Sequence, residues 1–366
     1  MQVNQSGAKY SAIVGIGERI KKLSAETGEK YLLLNRGVNS VCNIDLSQVV
    51  KEIDFNSTKM QVYPSSQGLQ ELREAINATY FENIANDSNI YITAGGMSGL
   101  DLIFQTLNVE KIYLPSYFWG SYMNVMKIRN IKEDFYDSFS ELTTNIENLK
   151  NSAVVICDPN NPIGGKYSDE KLLSLIKLLN DNGVVIIYDS PYRRIFFETD
   201  NFYAKLLTFP ELIIVDSFSK SVGLSGQRIG FVHSVNQDFN HELGIRLMYA
   251  TNGINAFSQI LIQKLLTSVA GKKAVTDFKT ETCDGIRKNI EYLKSKKLLA
   301  TEFYHETEPK GIFVIVNKSE QELLEKKIAS VSLSFFTRKY KATAEKYARI
   351  CVSVPHNEFV EFMSRF

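Results

Sequence analysis

The sequence predicts an α/β protein with a mostly parallel sheet flanked by helices, together with a smaller α+β domain. A chain of 366 residues is too long for one small hydrophobic core, so one large and one smaller domain are expected. Short apolar runs alternate with helical patterns from about residue 90 to residue 232. This alternation ends after residue 233, where helical segments precede two isolated apolar runs.

The apolar runs are short, rich in β-branched residues and almost free of polar alternation, which is typical of strands buried on both faces. They are YIT (91–93), KIYL (111–114), AVVIC (153–157), VVIIY (184–188), LIIVD (212–216) and RIGFV (228–232). Ser168 to Asn182, between two of them, begins with a capping serine and acidic residues and stops at Gly183, which predicts a helix. The order of elements predicts a mostly parallel sheet.

The second part of the chain has a different pattern. Its predicted elements are helices around 255–268 and 273–297 and strands at GIFVIV (311–316) and RICVSV (349–354). We therefore expect a large domain at 46–265 and a small domain at 266–366, to which the N-terminal segment 1–45 contributes.

Composition excludes several classes of function. The 42 Lys and Arg residues balance 41 Asp and Glu residues, so charge gives no reason to propose nucleic acid or a membrane as partner. The N-terminal MQVNQSGAKY lacks a signal-peptide pattern and no apolar stretch is long enough to span a bilayer, so we expect a cytoplasmic protein. The four cysteines and four histidines are dispersed, which predicts neither a disulfide framework nor a metal site.

Chemically informative residues follow five of the apolar runs, where ligands bind in open α/β sheets. The segments are AGGMSG (94–99), PSYFWGSY (115–122), DPNNPIGG (158–165), DSPY (189–192) and SFSKSVGLSGQR (217–228). Pyridoxal phosphate (PLP) requires an anion at its pyridine nitrogen, donors at its phenolic oxygen, a phosphate cradle and an amine for its aldehyde. The five segments supply a candidate for each requirement.

At these spacings the segments resemble the class I/II aminotransferases of PLP-dependent fold type I, from YPSSQGLQELREAI near residue 63 to RICVSV near residue 349. The resemblance implies a seven-stranded sheet and PLP carried as a Schiff base on Lys220. Lys220 would then move the proton between the substrate Cα and the cofactor. Asp189 would keep the pyridine nitrogen protonated, and Tyr192 with Asn161 would hydrogen-bond the phenolic oxygen.

The resemblance also implies a phosphate site at a helix N-terminus, with further donors near the lysine. The loop amides would come from Gly95, Gly96 and Met97, and the other donors from Ser217, Ser219 and Arg228. No GxGxxG or GKS/T pattern supports a nucleotide in their place.

Other residues would contact the ring, the substrate or a partner subunit. Tyr117 resembles the aromatic that stacks on the cofactor ring, and Trp119 and Tyr122 are rivals for that role. Arg349 resembles the residue that holds the substrate α-carboxylate, with Asn161 and Gly37 also near the substrate. Tyr63 resembles a tyrosine that reaches the phosphate in the neighbouring subunit, which implies a homodimer with shared active sites.

The resemblance implies ping-pong transamination between an L-amino acid and a 2-keto acid. Three alternatives stay open: other PLP chemistry, such as a carbon–sulfur β-lyase or a decarboxylase; a non-catalytic PLP-binding regulatory domain; and a nucleotide-dependent Rossmann enzyme. The family's NPTG-like turn is NPIG here, which leaves the substrate contacts of the small domain open. Arg193 and Arg194 are interpreted as solvated or structural residues.

Overall fold

The computed structural model describes residues 1–10, 12–196 and 200–366. The strands in this part of the chain are β1 (Leu32–Leu33), β2 (Ile90–Thr93), β3 (Lys111–Pro115), β4 (Lys132–Tyr136), β5 (Ser152–Cys157), β6 (Gly165–Lys166), β7 (Val185–Asp189), β8 (Leu212–Ser217), β9 (Gly230–Ser234), β10 (Glu308–Pro309), β11 (Phe313–Val316), β12 (Ile328–Ala329), β13 (Val331–Ser332) and β14 (Ala348–Cys351).

The α-helices of the same residues are α1 (Ala12–Thr27), α2 (Gln70–Tyr80), α3 (Gly96–Thr106), α4 (Gly120–Ile128), α5 (Phe139–Thr144), α6 (Asp169–Asp181), α7 (Arg193–Phe196), α8 (Phe202–Lys205), α9 (Phe218–Ser221), α10 (Gln237–Thr251), α11 (Ala256–Thr267), α12 (Val269–Ser295), α13 (Glu320–Glu325), α14 (Lys341–Ala344) and α15 (His356–Met363). None of these described helices is long and apolar enough to cross a bilayer.

A seven-stranded sheet forms the centre of the described structure, in the order β2-β9-β8-β7-β5-β3-β4. Neighbouring strands run parallel except at β9, which is antiparallel to both β8 and β2. The predicted α/β fold with a mostly parallel sheet is confirmed.

The sheet is covered on both faces, which explains why its strands are continuously apolar. In β5, Val154 and Ile156 pack on one face with α2, α6 and α11. Ala153 and Val155 pack on the other face with α3, α4 and α10. Successive side chains of a strand point to opposite faces, so two covered faces require an apolar residue at every position.

The strand β4 was not among the six apolar runs. Its sequence KEDFY is polar at its first residues, and Lys132 and Glu133 are exposed. β4 lies at the edge of the sheet and pairs only with β3 in the described structure. An edge strand needs fewer buried side chains, so apolar periodicity does not reveal it.

The predicted helix between β5 and β7 is also present, as α6. The Ser168 side chain caps it by accepting a hydrogen bond from the Lys171 amide at 3.2 Å. Gly183 follows with φ +67°, a left-handed conformation that glycine adopts readily.

Beyond the large sheet, β11, β14 and β13 form an antiparallel sheet that packs with α12 and α15. The N-terminal segment joins this region because β1 pairs in parallel with β12. The smaller α+β unit therefore exists and includes N-terminal residues, while the predicted boundaries at residues 46 and 265 remain a prediction.

Candidate active site

A cavity of about 500 Å³ lies where β5, β7 and β8 end and α3 begins. Parallel strands bring their carboxyl ends to one edge, so residues that follow them in sequence meet there. β9 runs in the opposite direction, and so Arg228, which precedes it, lies at the same edge. The second wall comes from the smaller unit, through Phe313 and Arg349, and from the N-terminal residues 36–38.

The structure brings most of the predicted site residues together around this cavity. Those that line it are Gly37, Gly96, Met97, Asn161, Asp189, Tyr192, Ser217, Ser219, Lys220, Arg228 and Arg349. Gly95 stands directly behind the wall, against Arg228. Tyr117 and Tyr63 lie elsewhere.

Lys220 lies on the short helix α9, which begins directly after β8. Its Nζ atom donates a hydrogen bond to the carbonyl oxygen of Gly37. Burial lowers the pKa of Lys220, and the positive charges of Arg228 and Arg349 lower it further. A larger fraction of this amine is therefore neutral near pH 7 than for an ordinary lysine, as a nucleophile or proton carrier requires.

Asp189 ends β7 and is a buried carboxylate. The hydroxyl of Tyr122 donates a hydrogen bond to its Oδ2 atom. Burial raises the pKa of Asp189 to about 7, against a smaller opposing effect of that hydrogen bond. A cation placed next to Asp189 would return its pKa towards the ordinary range, so this position suits a protonated ring nitrogen.

Asn161, Tyr192 and Arg349 form a hydrogen-bonded chain along one wall. The Asn161 Nδ2 atom donates to the Tyr192 hydroxyl at 3.2 Å, and the Arg349 Nη1 atom donates to Asn161 Oδ1 at 3.0 Å. Arg349 also donates from Nη2 to the Asn35 carbonyl at 2.7 Å. Its guanidinium lies 4.1 Å from the Phe313 ring centroid, and its buried Nε atom has no partner in the described structure.

Burial lowers the pKa of Arg349 to about 10, so the side chain stays charged at neutral pH. Its charge is not balanced by a carboxylate hydrogen-bonded to it within the described residues. A buried guanidinium in this state favours an anion, which supports the predicted contact with a substrate carboxylate.

The opposite end of the cavity offers donors for a phosphate. The amides of Gly96 and Met97 open α3, and the first amides of a helix have no partner within it. The Ser217 hydroxyl donates to the Ser219 hydroxyl at 2.9 Å, and Arg228 lies beside them.

Gly95 differs from the prediction that it supplies an amide, because its N–H donates to the Thr93 carbonyl at 2.7 Å. The lack of a side chain matters instead. A Cβ atom at Gly95 would lie 2.7 Å from the Arg228 Nη2 atom, and the residue has φ +85°. Glycine at this position leaves the guanidinium its space and permits the backbone conformation.

Tyr117, which was predicted to stack on the cofactor ring, does not line this cavity. Its ring stacks on Tyr340 at 5.8 Å and meets Phe303 edge-on at 5.6 Å. A backbone bridge to Thr337 turns Tyr117 towards a second cavity. Trp119, which directly precedes α4, lines the first cavity and is the better candidate.

Arg193 and Arg194 are structural, as interpreted from the sequence, but they are buried rather than solvated. Arg193 donates to both oxygens of Asp169 and of Asp200 at 2.6–2.9 Å. The Arg194 guanidinium lies 4.2 Å from the Tyr80 ring centroid. The ion pairs of Arg193 anchor the segment directly after Tyr192.

Sequence reasoning missed Arg36 and Phe313, which also line the cavity. Arg36 precedes the predicted Gly37 by one residue, and Phe313 lies within the predicted run GIFVIV. Neither carries a motif, so only the folded chain reveals them. The described residues include no group of three or more His, Cys, Asp or Glu side chains that could hold a metal ion.

Comparison with known families agrees with this geometry. The model of the family "Aminotransferase class I and II" matches residues 29–366, which is most of the chain. This chain is a class I/II aminotransferase. The predicted family and enzyme class are therefore confirmed, and the resemblance stated from the motifs extends over both walls of the cavity.

Two relatives of this aminotransferase match along most of their length and a third along about half. Aspartate aminotransferase of Pyrococcus horikoshii is 26% identical over 330 residues, 83% of this chain and 81% of the relative. Histidinol-phosphate aminotransferase 1 of Oceanobacillus iheyensis is 26% identical over 84% of each chain. LL-diaminopimelate aminotransferase of Chlamydia pneumoniae matches about half of each chain, at 26% identity.

Solved structures show the same fold. Aspartate aminotransferase from Thermus thermophilus with maleate superposes with a TM-score of 0.84 at 18% identity, covering 100% of this aminotransferase and 99% of that chain. An aminotransferase from Mycobacterium tuberculosis superposes with a TM-score of 0.83 at 17% identity, covering 100% and 98%. The named substrates of the relatives differ, so the names do not fix the substrate of this chain.

Proposed function

We propose that this aminotransferase binds PLP covalently on Lys220 and transfers an amino group between an L-amino acid and a 2-keto acid by a ping-pong mechanism. One observation carries the proposal. A partly buried lysine with a lowered pKa shares a single cavity with a buried carboxylate, an Asn–Tyr pair, a helix N-terminus and three arginines.

The donor set of the cavity fits the cofactor at each of its polar positions. Asp189 would face the pyridine nitrogen, and Asn161 with Tyr192 the phenolic oxygen. The phosphate would be held by the first amides of α3 together with Ser217, Ser219 and Arg228. The Arg228 guanidinium lies against Gly95, in space that a Cβ atom at this position would occupy, which supports this assignment.

When bound, PLP supplies an electron sink that stabilises the negative charge left when a bond to the substrate Cα breaks. The chain supplies the rest of the chemistry. Arg349 binds the α-carboxylate and so orients the substrate Cα. The Lys220 amine takes the Cα proton and delivers it, and its lowered pKa favours the neutral form that the first of these transfers requires.

Trp119 is the proposed aromatic on the cofactor ring, since it lines the cavity next to Tyr122 and Asp189. The ring centroids of Trp119 and Tyr122 lie 5.5 Å apart in an edge-on arrangement, which fixes the indole. The Tyr122 hydroxyl, in turn, holds Asp189 in place.

We propose a homodimer in which Tyr63 enters the neighbouring active site. Tyr63 is 85% exposed and does not line the active-site cavity of its own chain, which supports a role outside the subunit. Its neighbour Pro64 meets the end of α10, where a Cβ atom at Gly253 would lie 2.9 Å from the Pro64 oxygen. The exposed residues Met248 and Tyr249 of α10 extend this apolar surface.

A cytoplasmic location is part of the same proposal. The four cysteines, Cys42, Cys157, Cys283 and Cys351, are free thiols in the structure, which is compatible with a reducing compartment.

A half-reaction tests the proposed activity. Incubation of the cofactor-loaded enzyme with an amino donor alone is expected to yield one equivalent of keto acid and protein-bound pyridoxamine phosphate. Release of a thiol together with pyruvate and ammonia from a donor with sulfur on its Cβ atom, without pyridoxamine phosphate, would identify a β-lyase and contradict transamination. Release of carbon dioxide would identify a decarboxylase.

A further inference from the structure

One cation of the active-site cavity has no role in the proposed chemistry. The charged residues that line the cavity are Arg36, Asp189, Lys220, Arg228 and Arg349. The proposed function assigns the last four to the pyridine nitrogen, the covalent attachment, the phosphate and the α-carboxylate. Arg36 is left over.

Arg36 is placed to meet the substrate. It directly precedes Gly37, whose carbonyl oxygen accepts the hydrogen bond from the Lys220 Nζ atom. Its guanidinium lies against α1 at Gly17, where a Cβ atom would be 3.5 Å from the Arg36 Nε atom. Ile13 and Val14 of α1 line the same cavity, so the charge projects beside apolar side chains.

Arg36 makes no side-chain hydrogen bond or ion pair within the part of the chain that the structure describes. Most cavity cations are held by protein acceptors: Lys220 by Gly37, Arg228 by the Ser225 carbonyl at 3.0 Å, and Arg349 by Asn161. Desolvation of an unpaired guanidinium on substrate binding would cost free energy unless the substrate supplies an acceptor.

A third cavity, of about 500 Å³ and distinct from the one beside Tyr117, continues from this wall and is strongly basic, and we call it the basic groove. It shares Ile13, Trp119 and Ser121 with the active-site cavity. Its charged lining residues are Lys9, Lys127, Arg338, Lys341 and Glu345.

None of the four cations of the basic groove forms an ion pair within the described residues, although many other Lys and Arg side chains of the protein do. The whole chain carries a formal charge of only +1, so the positive charge of the groove reflects a local clustering of cations and not a basic protein overall. A concave surface lined by one sign of charge concentrates ligands of the opposite sign.

We propose that the amino substrate carries a second anionic group, a carboxylate or a phosphate, and that Arg36 binds it while the basic groove attracts it. The proposal rests on the proposed function, since Arg349 must hold the α-carboxylate at the same time. The guanidinium fork of Arg36 can bind either anion through two parallel hydrogen bonds.

Non-reacting acids test the proposal on the cofactor-loaded enzyme, by calorimetric titration. Succinate can contact Arg349 and Arg36 together, whereas butyrate has a similar chain and only one carboxylate. We expect succinate to bind roughly tenfold to a hundredfold more tightly than butyrate, because a charge-assisted hydrogen bond contributes about that factor. Tighter binding of 3-phosphonopropionate than of succinate would identify the group as a phosphate, and the reverse order as a carboxylate.

The variants Arg36→Gln and Arg36→Lys identify the residue responsible. Arg36→Gln is expected to reduce the succinate-to-butyrate ratio to near one, and Arg36→Lys to restore part of it. Arg287→Gln is the matched control, because Arg287 is an exposed arginine of α12 that lies outside both cavities. It should keep the wild-type ratio.

Turnover separates this inference from the proposed function. The ratio of kcat/KM for L-glutamate or O-phospho-L-serine over L-norvaline should fall roughly tenfold or more in Arg36→Gln. Two results would overturn the anion site and leave the proposed function standing. In the first, the wild type transaminates but binds succinate and butyrate about equally. In the second, Arg36→Gln keeps the wild-type preference for succinate. Preference for the second anion without transamination of any donor would contradict the proposed function instead.

Discussion

Asp189 shows how one residue combines a cost to stability with a catalytic use. Its carboxylate is buried at the end of β7, where burial raises its pKa to about 7 and only Tyr122 donates to its side chain within the described residues. Charging this group without a cation nearby is unfavourable. A protonated ring nitrogen would remove that cost and gain an ion pair, so the same burial strengthens the cofactor contact.

The variant Asp189→Asn should therefore lower kcat of the loaded enzyme by roughly a hundredfold or more, the scale of losing one preorganised electrostatic contact. Steady-state kinetics with saturating donor measure this effect. Borohydride reduction should still label Lys220 in the variant, which separates loss of chemistry from loss of the cofactor. A kcat within threefold of the wild type would contradict the assigned role.

Stability of the cofactor-free protein should depend on pH through the same carboxylate. In the unfolded chain Asp189 titrates near its ordinary pKa of 3.8, and in the folded protein near about 7. The folded state therefore binds the proton more tightly, so stability is full below about pH 4 and is lost as the pH rises towards 7.

Between pH 5 and pH 7.5 the unfolding free energy of the wild type should fall by about 2 kcal/mol more than that of Asp189→Asn. Urea unfolding of both cofactor-free proteins at the two pH values measures the difference. Asp216, whose pKa burial also raises to about 7, remains in both proteins, so only the smaller effect of the Asp189 charge on its pKa differs between them. Equal pH dependence of the two would contradict the assignment.

At the scale of elements, the phosphate end of the site depends on how β2 turns into α3. Gly95 has φ +85° and ψ 169°, a region open almost only to glycine, and its missing side chain makes room for Arg228. The turn thus brings the N-terminus of α3 and a guanidinium from before β9 to the same place.

The variant Gly95→Ala should weaken PLP binding at least tenfold, because a Cβ atom 2.7 Å from Nη2 displaces the Arg228 side chain. Fluorescence titration of the cofactor-free protein measures the dissociation constant. Gly183→Ala is the control: Gly183 also has positive φ, at +67°, but a Cβ atom there meets nothing within 4 Å. Both should lose about 1–2 kcal/mol of stability, and only the first should lose cofactor affinity.

The sequence predicted the interior strands but not β4, for a physical reason. β5, β7 and β8 are covered on both faces, so burial demands apolar residues at each position and leaves a recognisable pattern. β4 has one strand neighbour and an exposed start, so the pattern is weak. Edge strands are held by backbone pairing, which composition does not record.

The candidate site was predictable where a motif fixes the residue, as for Lys220, Asp189 and Arg349. Inside PSYFWGSY the motif leaves three candidates for the ring contact, Tyr117, Trp119 and Tyr122, and the choice among them depends on the direction of the backbone. The bridge from Tyr117 to Thr337 and the start of α4 at Gly120 favour Trp119, whose contact with the ring stays a proposal. Arg36 depends on long-range packing of α1 and could not be predicted from a local pattern.

At the scale of the whole molecule, exposed apolar residues gather around the Tyr63 turn and α10. Pro64, which follows the exposed Val62 and Tyr63, lies against Gly253 just after α10, and α10 exposes Met248 and Tyr249 and packs on α3. Exposed apolar residues that cluster on a surface are typical of protein interfaces. Because α3 begins at the active-site cavity, an interface here would bring a second subunit to the site.

The double variant Met248→Asp/Tyr249→Asp should therefore be monomeric, since two buried charges in an interface are costly, and its activity should fall at least tenfold. Sedimentation equilibrium measures the mass, with twice the subunit mass expected for the wild type. Val269→Asp is the control, because Val269 is 88% exposed at the start of α12 and so does not belong to α10. A monomeric, fully active wild type would contradict the shared site.

The central claim is that Lys220 carries the cofactor, and chemical trapping tests it most directly. The yellow, cofactor-loaded enzyme is reduced with borohydride, digested and mapped by mass spectrometry. We predict a phosphopyridoxyl group on Lys220 alone, and none after the same treatment of Lys220→Ala. An unmodified Lys220 in fully loaded, reduced protein, or the group on another lysine, would contradict the account.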